Sequence, residues 1–165
     1  MKIKGLIDED FTNYKKPSMF IITPYCDGKC NKGYDTPICQ NYNLMRDRSD
    51  LMEIDTYELV KRYLSNPITH AVVFGGLEPF DSGADLIDFI YLLRNVKKCY
   101  DDVVIYTGFT EEELQYDHFF NSLKDFENII VKFGRFVPNE EPHYDEILGV
   151  KLASLNQYAK KIIKV

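Results

Sequence analysis

The sequence predicts an α/β fold: a parallel sheet of about four to five βα units, left as a partial, open barrel. Three observations lead there. Short apolar runs alternate with amphipathic stretches along the chain, the pattern of right-handed βαβ crossovers. The runs are nearly continuous, as expected of strands covered on both faces. Only four clear units can be counted, half the eight of a closed barrel.

The first strand is expected at Met19–Thr23, inside the apolar run Ser18 to Tyr25. A long polar loop runs from Cys26 to about Asn43, and Arg46 to Asp50 continues it with mixed charge. Asp55 caps the next helix, with Glu58 placed three residues on to complete a capping box. Leu59, Val60, Tyr63 and Leu64 then recur at helical spacing until Asn66-Pro67 ends the helix. His70–Phe74 reads as a buried parallel strand. Leu86, Ile87, Phe89, Ile90, Leu92 and Leu93 mark a second helix, and Val103–Thr107 a third strand. Glu111 to about Phe126 is expected to be one helix, whose three leading glutamates form a solvated first turn favoured by the helix dipole. Asn128–Phe133 is the fourth strand. Residues 134–165 read as a tail that returns to the sheet and ends in a short strand, Lys161–Val165.

The length of 165 residues indicates one domain spanning 1–165. A chain of this size buries roughly 70% of its unfolded surface, so its core needs no covalent staples. The four cysteines therefore call for another explanation, and crowding three into one loop argues against a secreted disulfide framework. The first ten residues carry no apolar stretch of signal-peptide type. No apolar run approaches the roughly 18 residues of a membrane span. The expectation is a cytoplasmic, soluble protein without a membrane partner. A net charge of −6 also disfavours nucleic acid bound through its phosphates. The many Tyr and Phe residues are expected to pack the core and its rim.

Ligands of such sheets bind beyond the carboxyl ends of the strands. Every distinctive motif falls there. Cys26, Cys30 and Cys39 follow the first strand, and Gly75-Gly76-Leu77-Glu78-Pro79 follows the second. Thr107-Gly108 follows the third, and Gly134-Arg135 the fourth. Three neighbouring thiolates can hold a metal or an iron–sulfur cluster while leaving one coordination position for a reactant. Soft thiolates suit iron–sulfur and zinc alike, so three readings stay open at this point. They are a cluster with one open iron, a zinc knuckle completed by His70 or another group, and reduced thiols without metal. Gly75 and Gly76 let the backbone approach a ligand closely, and Glu78 adds a carboxylate. Arg135 suits bidentate capture of a carboxylate or a surface ion pair. Cys99, at a helix end, reads as a half-buried free thiol.

Taken together, these motifs resemble the radical S-adenosylmethionine (SAM) enzymes. More narrowly, they are similar to the small activating enzymes of anaerobic ribonucleotide reductase. Five segments match in order between about residues 18 and 160: the cysteine loop with Asn41 two residues past Cys39, the glycine turn, Tyr106-Thr107-Gly108-Phe109, Gly134-Arg135-Phe136, and Ser154-Leu155-Asn156-Gln157. The resemblance implies a [4Fe–4S] cluster on Cys26, Cys30 and Cys39. It further implies SAM held by Gly75, Gly76, Glu78, Thr107, Gly108, Arg135 and Asn156, with Ile38 beside the adenine. The implied activity is reductive cleavage of SAM to generate a glycyl radical on a partner such as anaerobic ribonucleotide reductase, with a flavodoxin-type electron donor. The chain departs from the family at several points. Eight residues rather than two separate Cys30 and Cys39, so the loop must fold back on itself. Leu77 is inserted in the glycine turn, Phe133 stands where an acid is usual, and Leu152-Ala153 replaces an Arg-Gly. Two other functions fit the same residues: a radical SAM enzyme acting on a small molecule or peptide, and a non-catalytic iron–sulfur or zinc-binding adaptor.

Overall fold

A computed structural model describes residues 1–165. In chain order the strands are β1 (Lys2–Ile3), β2 (Gly5–Asp10), β3 (Ser18–Ile22), β4 (Met52–Glu53), β5 (Ala71–Gly75), β6 (Asp102–Tyr106), β7 (Ile129–Phe133), β8 (His143–Asp145), β9 (Val150–Leu152) and β10 (Tyr158–Ile162). The helices are α1 (Tyr42–Arg46), α2 (Thr56–Leu64), α3 (Gly83–Tyr91), α4 (Glu111–Leu114) and α5 (His118–Ser122). The fold is mixed α/β around a six-stranded, mostly parallel sheet of order β10-β7-β6-β5-β3-β2. β3, β5, β6 and β7 run parallel, and both edge strands are antiparallel to their neighbours. β1 pairs with β4, and β8 with β9, as separate two-stranded antiparallel ladders.

Side-chain parity along the parallel strands divides the sheet into two unequal faces. Met19, Ile21, Val72, Phe74, Val103, Ile105, Ile129, Val131 and Phe133 pack into the main core with α2, α3 and α5. Phe74 meets Phe89 of α3 edge-on at 5.2 Å, the arrangement aromatic quadrupoles favour. The other face carries Ala71, Val73, Val104, Ile130 and, on β10, Ala159, which cluster with Tyr14, Leu148 and Leu152 from connecting segments. The longer helices α2 and α3 pack on the first face, and the short α1 reaches the carboxyl end of the second.

The four parallel strands lie within one residue of their expected bounds. Asp55 caps α2 as expected, accepting from Glu58 N at 3.0 Å, but the Glu58 side chain turns to Lys61 and leaves the reciprocal half unmade. The helix expected over Glu111 to Phe126 is instead two short helices and a 3₁₀ turn (Leu123–Asp125). Asp117 explains the break: its carboxylate accepts from Phe120 N at 2.8 Å and restarts the helix. The terminal strand expected at Lys161–Val165 lies at Tyr158–Ile162 and pairs antiparallel with β7. The polar loop is not wholly irregular, since it contains α1 and a 3₁₀ turn at Lys29–Asn31. The N-terminal strand β2 was not expected. Arg94, on a π-helical turn continuing α3, is buried and donates to the carbonyls of Glu127, Cys99 and Asp101. No helix is long and apolar enough to cross a membrane.

Candidate metal centre and ligand cavity

A cavity of about 470 Å³ opens at the carboxyl ends of the parallel strands, on the face opposite α2 and α3, with Leu44 and Met45 of α1 in its lining. Its floor follows from strand parity. Phe20 and Ile22 of β3, Tyr106 of β6 and Lys132 of β7 occupy the same face as Ala71, Val73, Val104 and Ile130. Cys26, Cys30 and Cys39 form one wall, and Gly76, Glu78, Thr107, Gly108 and Arg135 line the rest of the rim. Residues up to 145 positions apart in the chain, Thr12 and Gln157 at the extremes, therefore meet at one cavity.

The cysteine loop folds back through Asn31. Its side-chain oxygen accepts from Ile38 N at 2.8 Å and Cys39 N at 3.0 Å, which returns Cys39 to the neighbourhood of Cys30. The Cys30 and Cys39 thiols interact as a pair. That interaction holds the Cys39 thiol below the ordinary range and, with burial, pushes Cys30 up. Burial raises Cys26 to about 11, assisted by the negative field of Glu78, Asp81 and Asp27 and opposed by the Gly28 N–H. All three are half-buried free thiols. Metal binding at such groups must displace protons. No three His, Cys, Asp or Glu side chains close on a point the size of a single ion. The donor set, three soft sulfurs from one loop on one cavity wall, is of the kind that suits an iron–sulfur cluster or zinc. His70 precedes the amino end of β5, opposite the rim, and is exposed; this removes it from a zinc knuckle with the three cysteines.

Glu78 is 6% exposed and spans two turns. Its carboxylate accepts from Thr107 Oγ1 at 2.8 Å, Gly108 N at 2.9 Å and Phe80 N at 3.2 Å. Burial raises it to about 7 despite those donors. Leu77, the inserted residue, is buried against the cavity. Gly76 has φ +76°, and a Cβ there would meet Ile22 Cγ2 at 2.6 Å. Gly108 comes close to the thiols: a Cβ on it would lie 3.8 Å from Cys30 Sγ and 3.7 Å from Glu78 Oε2.

Three expected site residues stand off the cavity wall. Gly75 faces the cavity side of β5, but there a Cβ would meet Tyr106 Cβ at 3.1 Å and Phe20 Cε2 at 3.2 Å, so the glycine serves the packing of those rings. Asn156 donates to the Arg135 carbonyl at 2.8 Å and accepts from Ser154 Oγ at 2.7 Å, tying the tail to the loop after β7. Ile38 is half-buried in the cysteine loop. Arg135 reaches the cavity but is held bidentately by Glu113 at 2.9 Å on both arms. Glu113 also completes a capping box with Thr110, so the glutamate turn is only partly solvated. Cys99 is half-buried against the core, away from the site.

Sequence reasoning missed Lys132. It is 7% exposed, lines the cavity and donates to Gly134 O at 2.7 Å, leaving two of its three donors unused. Burial lowers it to about 8, opposed by the neighbouring Cys30 and Glu78. The available signal was a lone lysine inside Ile129-Ile-Val-Lys-Phe133, an otherwise apolar strand. No family model, curated protein or solved structure matches the chain.

Proposed function

We propose that this chain is a radical SAM enzyme on an open, partial βα-barrel scaffold. In this reading Cys26, Cys30 and Cys39 hold a [4Fe–4S] cluster, and the protein installs a glycyl radical on a partner such as anaerobic ribonucleotide reductase. One observation carries the reading: three thiols share the wall of a cavity of about 470 Å³ with the glycine turn, Thr107-Gly108 and a buried ammonium. Cys26, Cys30 and Cys39 would hold the cluster, which would supply the one-electron reducing power that SAM cleavage requires. The chain's own residues bind and orient. Gly76 and Gly108 offer backbone with no side chain between it and the ligand. Lys132 presents two free N–H donors to a carboxylate in a nearly dry site, where a charge-assisted bond is strong. Phe20, Ile22 and Tyr106 give the apolar floor on which an adenosine lies, excluding water from the reacting bond. Four free thiols suit a reducing cytoplasm, and a flavodoxin-type carrier would deliver the electron.

The deciding experiment is anaerobic reconstitution with iron and sulfide, followed by SAM and a strong reductant. Formation of 5′-deoxyadenosine is the expected result, and its absence from cluster-loaded protein sinks the reading. A specific observation favours a second one, a non-catalytic cluster- or zinc-binding adaptor. Glu78 already accepts three internal donors and Arg135 is clamped by Glu113, so two groups expected to meet SAM are engaged within the protein. The adaptor predicts no heat of SAM binding by calorimetry.

A further inference from the structure

The segment between Ile22 and Asp50 carries all three cysteines and only short helical turns. One residue outside it reaches both of its ends. The Lys4 backbone N–H donates to Ile22 O at 2.8 Å, where β3 passes into the loop. The Lys4 ammonium, on a side chain 2% exposed, donates to the Asp47 carbonyl and pairs with the Asp50 carboxylate, where the loop ends. Burying an ammonium is costly unless it is paired and hydrogen-bonded; here it has both kinds of partner.

The contact transmits to the thiols through α1. Asp47 is the C-cap of that helix, and Tyr42 N, at its start, donates to Cys39 O at 3.2 Å. Met45 of α1 packs on Gly28, where a Cβ would stand 2.8 Å from its sulfur, and Gly28 lies between Cys26 and Cys30. Closing a long flexible loop costs entropy that grows only slowly with length, so one well-placed pair of contacts suffices to hold it.

We propose that Lys4 is a positioning residue that fastens the three-cysteine loop at both ends and so holds Cys26, Cys30 and Cys39 at one cavity wall. The role depends on the loop geometry alone and not on what the loop binds. Without the ammonium, α1 detaches from the N-terminal strand, and the thiols exchange between the cavity wall and solvent.

The test uses the full-length apo chain. The reaction rate of each cysteine with an aryl disulfide reagent is measured by peptide mass mapping in wild type, Lys4→Met and Asp50→Ala. Cys99 is the internal reference, since it lies outside the loop. The expected result is acceleration of the three loop thiols by about fivefold or more in Lys4→Met, less in Asp50→Ala, with Cys99 unchanged. Where Lys4→Met does not fold, Asp50→Ala decides alone, because Asp50 is exposed and its truncation leaves the core intact. Loop-thiol rates equal to wild type overturn the proposal, as does acceleration of Cys99 in step with them. Neither cluster nor SAM is present, so this result is independent of the SAM-cleavage assay.

Discussion

The Glu78 carboxylate accepts a 2.9 Å hydrogen bond from the Gly108 amide, so one buried side chain fixes the turn after β5 to the turn after β6. The charge sits in a site that disfavours it, and burial outweighs three donors in setting its affinity for a proton. The same group thus braces the rim and makes it sensitive to pH.

In the apo protein, Glu78 holds its proton more tightly than an ordinary carboxyl, at about 7 instead of 4.5. Its contribution to stability is therefore fully present below the unfolded value and is lost as pH rises through that window. Urea denaturation of wild type should show stability falling by a few kcal/mol over this range from the Glu78 contribution. Glu78→Gln should flatten that component. An equal slope in the variant would assign the pH dependence elsewhere.

Lys132 has the opposite sign. Its affinity for a proton is depressed to about 8 from 10.5, so its contribution to stability rises with pH between those values, where only the unfolded chain stays protonated. Lys132→Met should stabilise the apo protein at neutral pH by about 1 kcal/mol, because an under-partnered buried ammonium is removed. The same change should weaken SAM binding to the cluster-loaded protein about tenfold by calorimetry. Unchanged SAM affinity would dismiss Lys132 as the carboxylate partner.

Gly76→Ala should be destabilising by about 2 kcal/mol, since the position combines positive φ with a projected 2.6 Å clash on Ile22. Thermal unfolding followed by circular dichroism reads the effect. A melting temperature within a degree of wild type would mean that the turn has another conformation.

Single serine replacements at Cys26, Cys30 or Cys39 should each drop iron in reconstituted protein from about four per chain to below about one. Cys99→Ser should retain it, since that thiol lies against the core away from the cavity. Full iron in Cys39→Ser would remove the residue after the long gap from the ligand set.

The motifs that line the cavity could be read in the sequence because each follows a buried strand, and parallel strands bring their carboxyl ends to one side. Lys132 could not be given a role in the same way. A lysine in a strand reads as an edge or surface residue until the neighbouring Tyr106 and the open face define what it points at. Thr110 and Glu113 form a full capping box, yet the helix they open stops after Leu114 because Asp117 starts another. Local signals at both positions were present and competed.

The sequence by itself determined the four parallel strands and the cysteine, glycine and threonine turns that follow them, because apolar runs and turn residues express preferences within a few neighbours. Only the tertiary structure decided the rest. Gly5–Asp10, with three acids in six residues, is a strand because β3 offers it a hydrogen-bonding edge. The tail pairs three residues earlier than its own apolar pattern suggests, because its register is fixed by β7. The cysteine loop is closed by Lys4, more than forty residues from the carbonyl it binds. Each of these depends on a partner distant in the chain, and no local periodicity carries the identity of that partner.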